Sequence, residues 1–276
     1  IPFIAAILYE VFGFNVYSVR ILTVFAFIIL TLYTYLIARR EFGKSIAMIS
    51  GAFAALFPLY HFFNNILFSE PWVIAFSVMS LYHFMVWSDT GSWKNYFIAL
   101  PAFSLAVALK LTPLYLLLPL GWIWFRADKT KRRPFRHIVL FVLTALILPL
   151  IWYIRAYNLT VNSIDVFGIF GGHNKMQTLT MLTSPNWYRT MADRIGSGIL
   201  GGVIGSFFAL IGLVSLIWRR RGGVIIAYLL AIAAYFVIVA EGQIDAPYRQ
   251  LTAIPPLAIF AGVGVETSGL IVVRVI

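Results

Sequence analysis

The sequence predicts an all-α protein, a polytopic bundle of transmembrane helices, and three observations predict it. Hydrophobic residues make up 61% of the 276 and charged residues only 11%, whereas a soluble domain carries about 25% charged residues. Mean hydropathy is +0.90, and apolar runs recur along the chain at close to the ~20 residues that cross a bilayer core. The formal net charge is +11, yet twelve of the 21 Lys and Arg sit in three short loops. That clustering follows the positive-inside rule and is not the pattern of a nucleic-acid binder.

Taken in order, residues 1–15 read as an amphipathic helix at the membrane interface, with Tyr9 and Phe12 toward lipid. Spans follow near 16–38, 46–63, 71–88, 95–109, 112–126, 138–154, 198–218, 223–240 and 250–265, about nine membrane segments in all. The basic loops are Arg39, Arg40 and Lys44; then Arg126, Lys129, Lys131, Arg132, Arg133 and Arg136; then Arg219, Arg220 and Arg221. One threading places all three in the cytoplasm. The pair 95–109 and 112–126 is short for two crossings, and half-depth helices meeting at Lys110 to Pro113 are an alternative. Residues 64–71, 110–113, 156–197 and 241–249 then face outward, as stretches of one transmembrane domain covering 1–276. A connection as long as 156–197 is usually functional. The absence of cysteine excludes disulfides and thiolate metal sites, and the four histidines show no zinc-binding spacing. The chain starts at Ile1, already within an apolar stretch, and stops abruptly at Ile276. An internal fragment of a longer protein is therefore expected.

The polar residues of chemical interest gather on the outer side. Glu70, in Phe68-Ser69-Glu70-Pro71, stands at the mouth of a span. It is either part of a helix cap or a general base or cation ligand, because a carboxylate there needs a partner. Lys110 lies between two apolar segments with no acid nearby in sequence. It either snorkels or contacts a lipid phosphate. Arg155 ends a span beside Trp152 and Tyr153, as an interface anchor or an anion contact. Residues 168–174 read Gly-Ile-Phe-Gly-Gly-His-Asn. They form a surface turn or a phosphate-binding one, with His173 and Asn174 at its end. Arg249 either grips an anionic group or pairs with Asp245. Arg20 has Glu10 or Glu70 as a candidate partner. Asp165 and Asp193 look like ordinary solvated acids of the long loop. Glu41 and Asp128 look like solvated neighbours of the basic loops, and Gly198, Gly201, Gly202 and Gly205 have the spacing of close helix packing.

The order of short motifs resembles the GT-C glycosyltransferases, most closely the dolichyl-phosphate-mannose protein mannosyltransferase and aminoarabinose transferase type. Ile1-Pro2-Phe3-Ile4 through Phe12-Gly13 resembles the family's Pro-Pro-Leu-Tyr-Tyr segment and closing Phe-Gly. Ser18-Val19-Arg20-Ile21-Leu22 looks like its Arg-Leu span opening, and Ala38-Arg39-Arg40-Glu41-Phe42-Gly43 like its Arg-Arg-x-Phe-Gly turn. Ser69-Glu70-Pro71 is similar to its acidic-Pro pair, and Ala108-Leu109-Lys110-Leu111-Thr112 to Leu-x-Lys-x-Thr. Trp152 through Tyr157 resembles Trp-x-x-Arg-Asn-Tyr, with Ala156 where Asn is expected. Gly171-Gly172-His173-Asn174 resembles Gly-Gly-x-Asn. Tyr248-Arg249 and Pro255-Pro256 are similar to its Arg-Tyr and proline-bearing late span.

That resemblance implies transfer of a sugar from a polyprenyl-phosphate-linked donor to a protein, lipid or glycan acceptor, on the outer face of a bacterial or archaeal cytoplasmic membrane. It implies phosphate contacts at Lys110, Arg155 and Arg249, with His173 and Asn174 also binding substrate. Glu70 becomes a second acidic residue that orients the acceptor or binds a divalent cation. The main catalytic Asp of the family belongs to a first outer loop, which would precede Ile1. A flippase for lipid-linked sugars and a glycan polymerase or ligase are the rival classes. The scarcity of acids within the spans favours surface chemistry over transport.

Overall fold

The computed structural model describes residues 2–64, 66, 68–127, 133–161 and 178–275. Asp128, Lys129, Lys131, Arg132, Asp165 and the segment 168–174, with its His173 and Asn174, lie outside the described residues.

Helix α1 (Pro2–Phe12) precedes α2 (Val16–Phe42), which turns at Gly43 into α3 (Lys44–Leu56) and α4 (Pro58–Asn64). A hairpin follows, of α5 (Glu70–Thr90) and α6 (Trp93–Leu109). A 3-10 turn (Thr112–Leu116) leads into α7 (Leu117–Arg126), and the long α8 (Phe135–Val161) returns along α6. Beyond the long loop come α9 (Thr178–Leu182), α10 (Pro185–Asp193), a π-helical turn (Arg194–Ile199), α11 (Val203–Trp218) and α12 (Gly223–Ile238). The chain finishes with α13 (Ala240–Asp245), a 3-10 turn (Pro247–Ala253) and α14 (Ile254–Val275). Every described element is helical, as a chain in lipid requires when no water can satisfy its backbone.

Each expected apolar segment is helix, but few are full spans. Four are long and apolar enough to cross a bilayer: Arg20–Phe42, Glu70–Thr90, Phe135–Leu159 and Pro247–Gly269. Lys44–Leu56, Trp93–Leu109 and Gly223–Ile238 are shorter; at 1.5 Å per residue they rise only about 20–26 Å. The expected span 46–63 breaks where Pro58 denies the helix a donor. The stretch 112–126 is likewise a 3-10 turn followed by a ten-residue helix.

Helix α2 packs between α3 and α5, α5 on α6, α6 on α8, and α14 against both α3 and α11. Helices α11 and α14 approach closely. A Cβ on Gly212 would stand 1.8 Å from the Phe260 carbonyl oxygen, and one on Gly264 would stand 1.8 Å from that of Phe208. These glycines, not the series from Gly198 to Gly205, bring helices together. Gly201 and Gly202 have φ of +72° and +100°, and they turn the chain through 101° between the Pro185–Ile199 segment and α11. A small-residue spacing fits a helix seam and a sharp turn equally well, hence the misreading.

The two ends of the bundle differ chemically. Along α5, Glu70 and Asp89 are roughly 28 Å apart. At the Asp89 end Arg40 meets Asp89 at 2.5 Å, and Arg126 grips Glu41 through two contacts of 2.9 and 3.1 Å. Glu41 is thus no solvated neighbour. Its side chain is only 7% exposed, because α7 returns to the end of α2 and presents the one group that compensates a desolvated carboxylate. On the same end α11 closes in a Schellman motif. Arg221 N–H bonds the Leu216 carbonyl and Arg220 N–H that of Ile217. Arg220 stands at the left-handed position with φ of +51°, where glycine is usual and another residue costs about 1 kcal/mol.

Candidate active site

The opposite end holds the expected polar residues. Glu70 opens α5 and Lys110 follows the last residue of α6. The antiparallel hairpin therefore brings together two residues 40 positions apart. Lys110 Nζ donates to Glu70 Oε1 at 2.5 Å, and Ser69 Oγ donates to Oε2 at 3.0 Å. Ser69 does not cap the helix with its side chain. The Glu70 side chain is 5% exposed and that of Lys110 27%. Lys110 thus has the acidic neighbour that its local sequence lacks. Glu70, a candidate partner of Arg20, pairs with Lys110 instead.

Tyr248, from the 3-10 turn before α14, extends this pair. The Lys110 ammonium lies 5.0 Å from its ring centre and the Arg249 guanidinium 5.8 Å, within cation–π range. Phe68 packs edge-on to the same ring at 4.6 Å, and Phe63 at 6.1 Å. Arg249 does not pair with Asp245, which stays exposed. Its Nη1 is instead buried with no partner among the described residues, and it rests against Gly242, where a Cβ would stand 1.8 Å from it.

Three more buried polar atoms of the stretch 241–250 have no partner among the described residues: Glu241 Oε2, Gln243 Nε2 and Gln250 Oε1. Native interiors leave few such groups. The stretch is held firmly nonetheless. Gln250 Nε2 donates to the Gln243 carbonyl at 3.0 Å and to its side-chain oxygen at 2.9 Å. Arg194, from the π-helical turn, donates to the carbonyls of Gln243 and Ile244, the latter at 2.6 Å. Trp187 Nε1 donates to the Ala240 carbonyl at 2.9 Å.

Arg155 is exposed on α8 and, among the described residues, makes no contact with the Glu70–Lys110 pair. Tyr153 of the same helix donates to the Val107 carbonyl at 3.3 Å, which sets this part of α8 near the level of Lys110. Ala156, where the family motif has Asn, is 1% exposed. No group of three His, Asp or Glu residues that could hold a metal occurs among the described residues. Each Glu70 oxygen already accepts one hydrogen bond, so a cation there would share the carboxylate with the Lys110 ammonium. Glu241, Gln243, Gln250 and Arg194 were not singled out from sequence. The one signal for the first three was a polar run, Glu241 to Gln250, between two apolar spans; Arg194 had none.

The family model of the dolichyl-phosphate-mannose-protein mannosyltransferases matches residues 1–154, more than half of the chain. The chain belongs to this family. No curated protein sequence matches it. Two solved structures share its fold. ArnT from Cupriavidus metallidurans bound to undecaprenyl phosphate is 17% identical with a TM-score of 0.65. ArnT from the same organism in the apo state is 18% identical with a TM-score of 0.66. Each alignment covers 96% of this chain but only 49% and 48% of ArnT, so the chain spans about half the length of these structures. The mannosyltransferase family match ends at residue 154. It therefore includes Glu70 and Lys110 but not Arg155, Gln243 or Arg249.

Proposed function

We propose that this chain is part of a membrane glycosyltransferase that moves a sugar from a polyprenyl-phosphate-linked donor to a protein, lipid or glycan acceptor at the outer membrane face. The observation that carries this reading is the set of buried polar atoms at residues 241–250 that have no partner among the described residues, on the turn whose Tyr248 ring meets Lys110. A cationic Nη1 with no acceptor among the described residues suits a phosphate oxygen. Amide and carboxyl atoms of the same stretch that have no partner among the described residues suit sugar hydroxyls. The undecaprenyl phosphate bound to ArnT is a ligand of the same class, and the basic loops at the other end favour an outward-facing site by the positive-inside rule.

In this reading the acceptor hydroxyl attacks the anomeric carbon, the bond to the phosphate oxygen breaks, and the phosphate leaves with the bonding electrons. Arg249 and Lys110 stabilise the charge as it develops. Arg155, His173 and Asn174 belong to the proposed substrate contacts by family motif alone. Glu70 holds the Lys110 ammonium in place and lies near the acceptor. The acceptor proton passes to a base, and family resemblance assigns that base to a further acidic residue.

The test is transfer kinetics of the full-length protein in proteoliposomes with a polyprenyl-phosphate sugar donor. Arg249→Gln is expected to lower kcat/KM for the donor by about 100-fold, the scale of one lost charge-stabilising donor. Unchanged kinetics would remove Arg249 from the site. Passage of the lipid-linked sugar across the bilayer with no transfer would replace this reading with the flippase.

A further inference from the structure

A second feature lies at the opposite, basic end and is independent of the transfer site. Between α7 and α12, beside the end of α11, runs a groove of about 760 Å³, within the roughly 300–1,000 Å³ of ligand-sized cavities. Its walls are apolar, with Leu118 and Trp122 on one side and Ile226 and Leu230 on the other. Several of these side chains are exposed on the surface of the bundle. At the basic end the groove is closed by Arg220 and Arg221.

The charge balance at this end is uneven. Arg40 and Arg126 are neutralised by Asp89 and Glu41. Arg220 and Arg221 are exposed and pair with no acid among the described residues. Arg220 also occupies the left-handed position of the Schellman turn, where glycine would be less strained. Strain retained at a groove mouth points to function. An apolar slot ending in two uncompensated guanidiniums at headgroup level is complementary to a phospholipid with a net negative headgroup.

We infer that this groove binds an anionic phospholipid of the leaflet on the basic side, its acyl chain between α7 and α12 and its phosphate on Arg220 and Arg221.

The test is electron paramagnetic resonance of the full-length protein in phosphatidylcholine nanodiscs, comparing spin-labelled phosphatidylglycerol with spin-labelled phosphatidylcholine. The wild-type protein should retain the anionic lipid preferentially. Arg220→Gln with Arg221→Gln should lower that preference by about fivefold for each arginine. Arg220→Gly should fold at least as well, because glycine suits the turn, and still lose one arginine's share. Gly121→Phe should exclude the chain with both arginines intact, since a Cβ on Gly121 meets nothing within 4 Å and the ring enters the groove. Arg136→Gln, exposed at the same end but outside the groove, should change nothing. Equal losses in Arg136→Gln and the double variant would mean diffuse attraction and overturn the site. So would an unchanged preference in the double variant or in Gly121→Phe.

Discussion

Glu70 and Lys110 are 40 residues apart in sequence and 2.5 Å apart in space. The carboxylate is nearly sealed from solvent while the ammonium is partly open. The two partners are therefore not equivalent. Losing the cation strands a buried charge, whereas losing the carboxylate leaves a lysine that is already partly open to solvent.

Lys110→Met should accordingly cost about 3 kcal/mol of stability, the scale of an orphaned buried charge. Glu70→Gln should cost less, and the double variant should recover part of the Lys110→Met loss. Thermal unfolding of the three proteins in one detergent checks this. Purely additive losses would show that the contact contributes no coupling.

Gly242 offers a way to disturb Arg249 without changing its charge. An alanine methyl there would fall on Nη1, so Gly242→Ala should move the guanidinium and raise the KM for the donor. Arg249→Lys keeps the charge but loses the planar fork, and it should not restore wild-type kinetics. Wild-type donor kinetics in Gly242→Ala would place Arg249 away from the donor.

The α11–α14 seam should tolerate no added carbon. Gly212→Ala and Gly264→Ala each drive a methyl into a backbone carbonyl of the facing helix. Each should destabilise by about 1–3 kcal/mol, as overpacking does. Gly121→Ala, with open space around it, is the control and should be nearly neutral. Denaturation midpoints of the three variants are sufficient to decide.

Arg194 should matter for the shape of the site rather than for the fold. Its guanidinium holds the carbonyls of Gln243 and Ile244. Arg194→Gln should leave helix content unchanged by circular dichroism and speed amide exchange across residues 241–250. Unaltered exchange would show that Trp187 and Gln250 suffice to hold the turn.

The helical class and the segregation of charge were legible because both are properties of long stretches. Glu70, Lys110 and Arg249 were legible as polar residues at span ends, but their partners were not. Lys110 has no acid near it in sequence, and only the α5–α6 hairpin supplies one. Glu41 looked solvated because its sequence neighbours are basic, yet it is buried against Arg126 from another loop. Arg194 gave no sign, since its acceptors are backbone carbonyls, and a carbonyl has no sequence signature. The glycines after Gly198 misled because one spacing serves two geometries.

The double grip of Arg194 on the turn at Gln243 ties two loops that are far apart in the chain. One is the segment 185–199, at the exit of the long connection, and the other carries Arg249. A shift of the first would load the turn of the second, because the guanidinium is bonded to two of its carbonyls. An acceptor that engages the long connection would thus tug on the residue proposed to hold the donor phosphate.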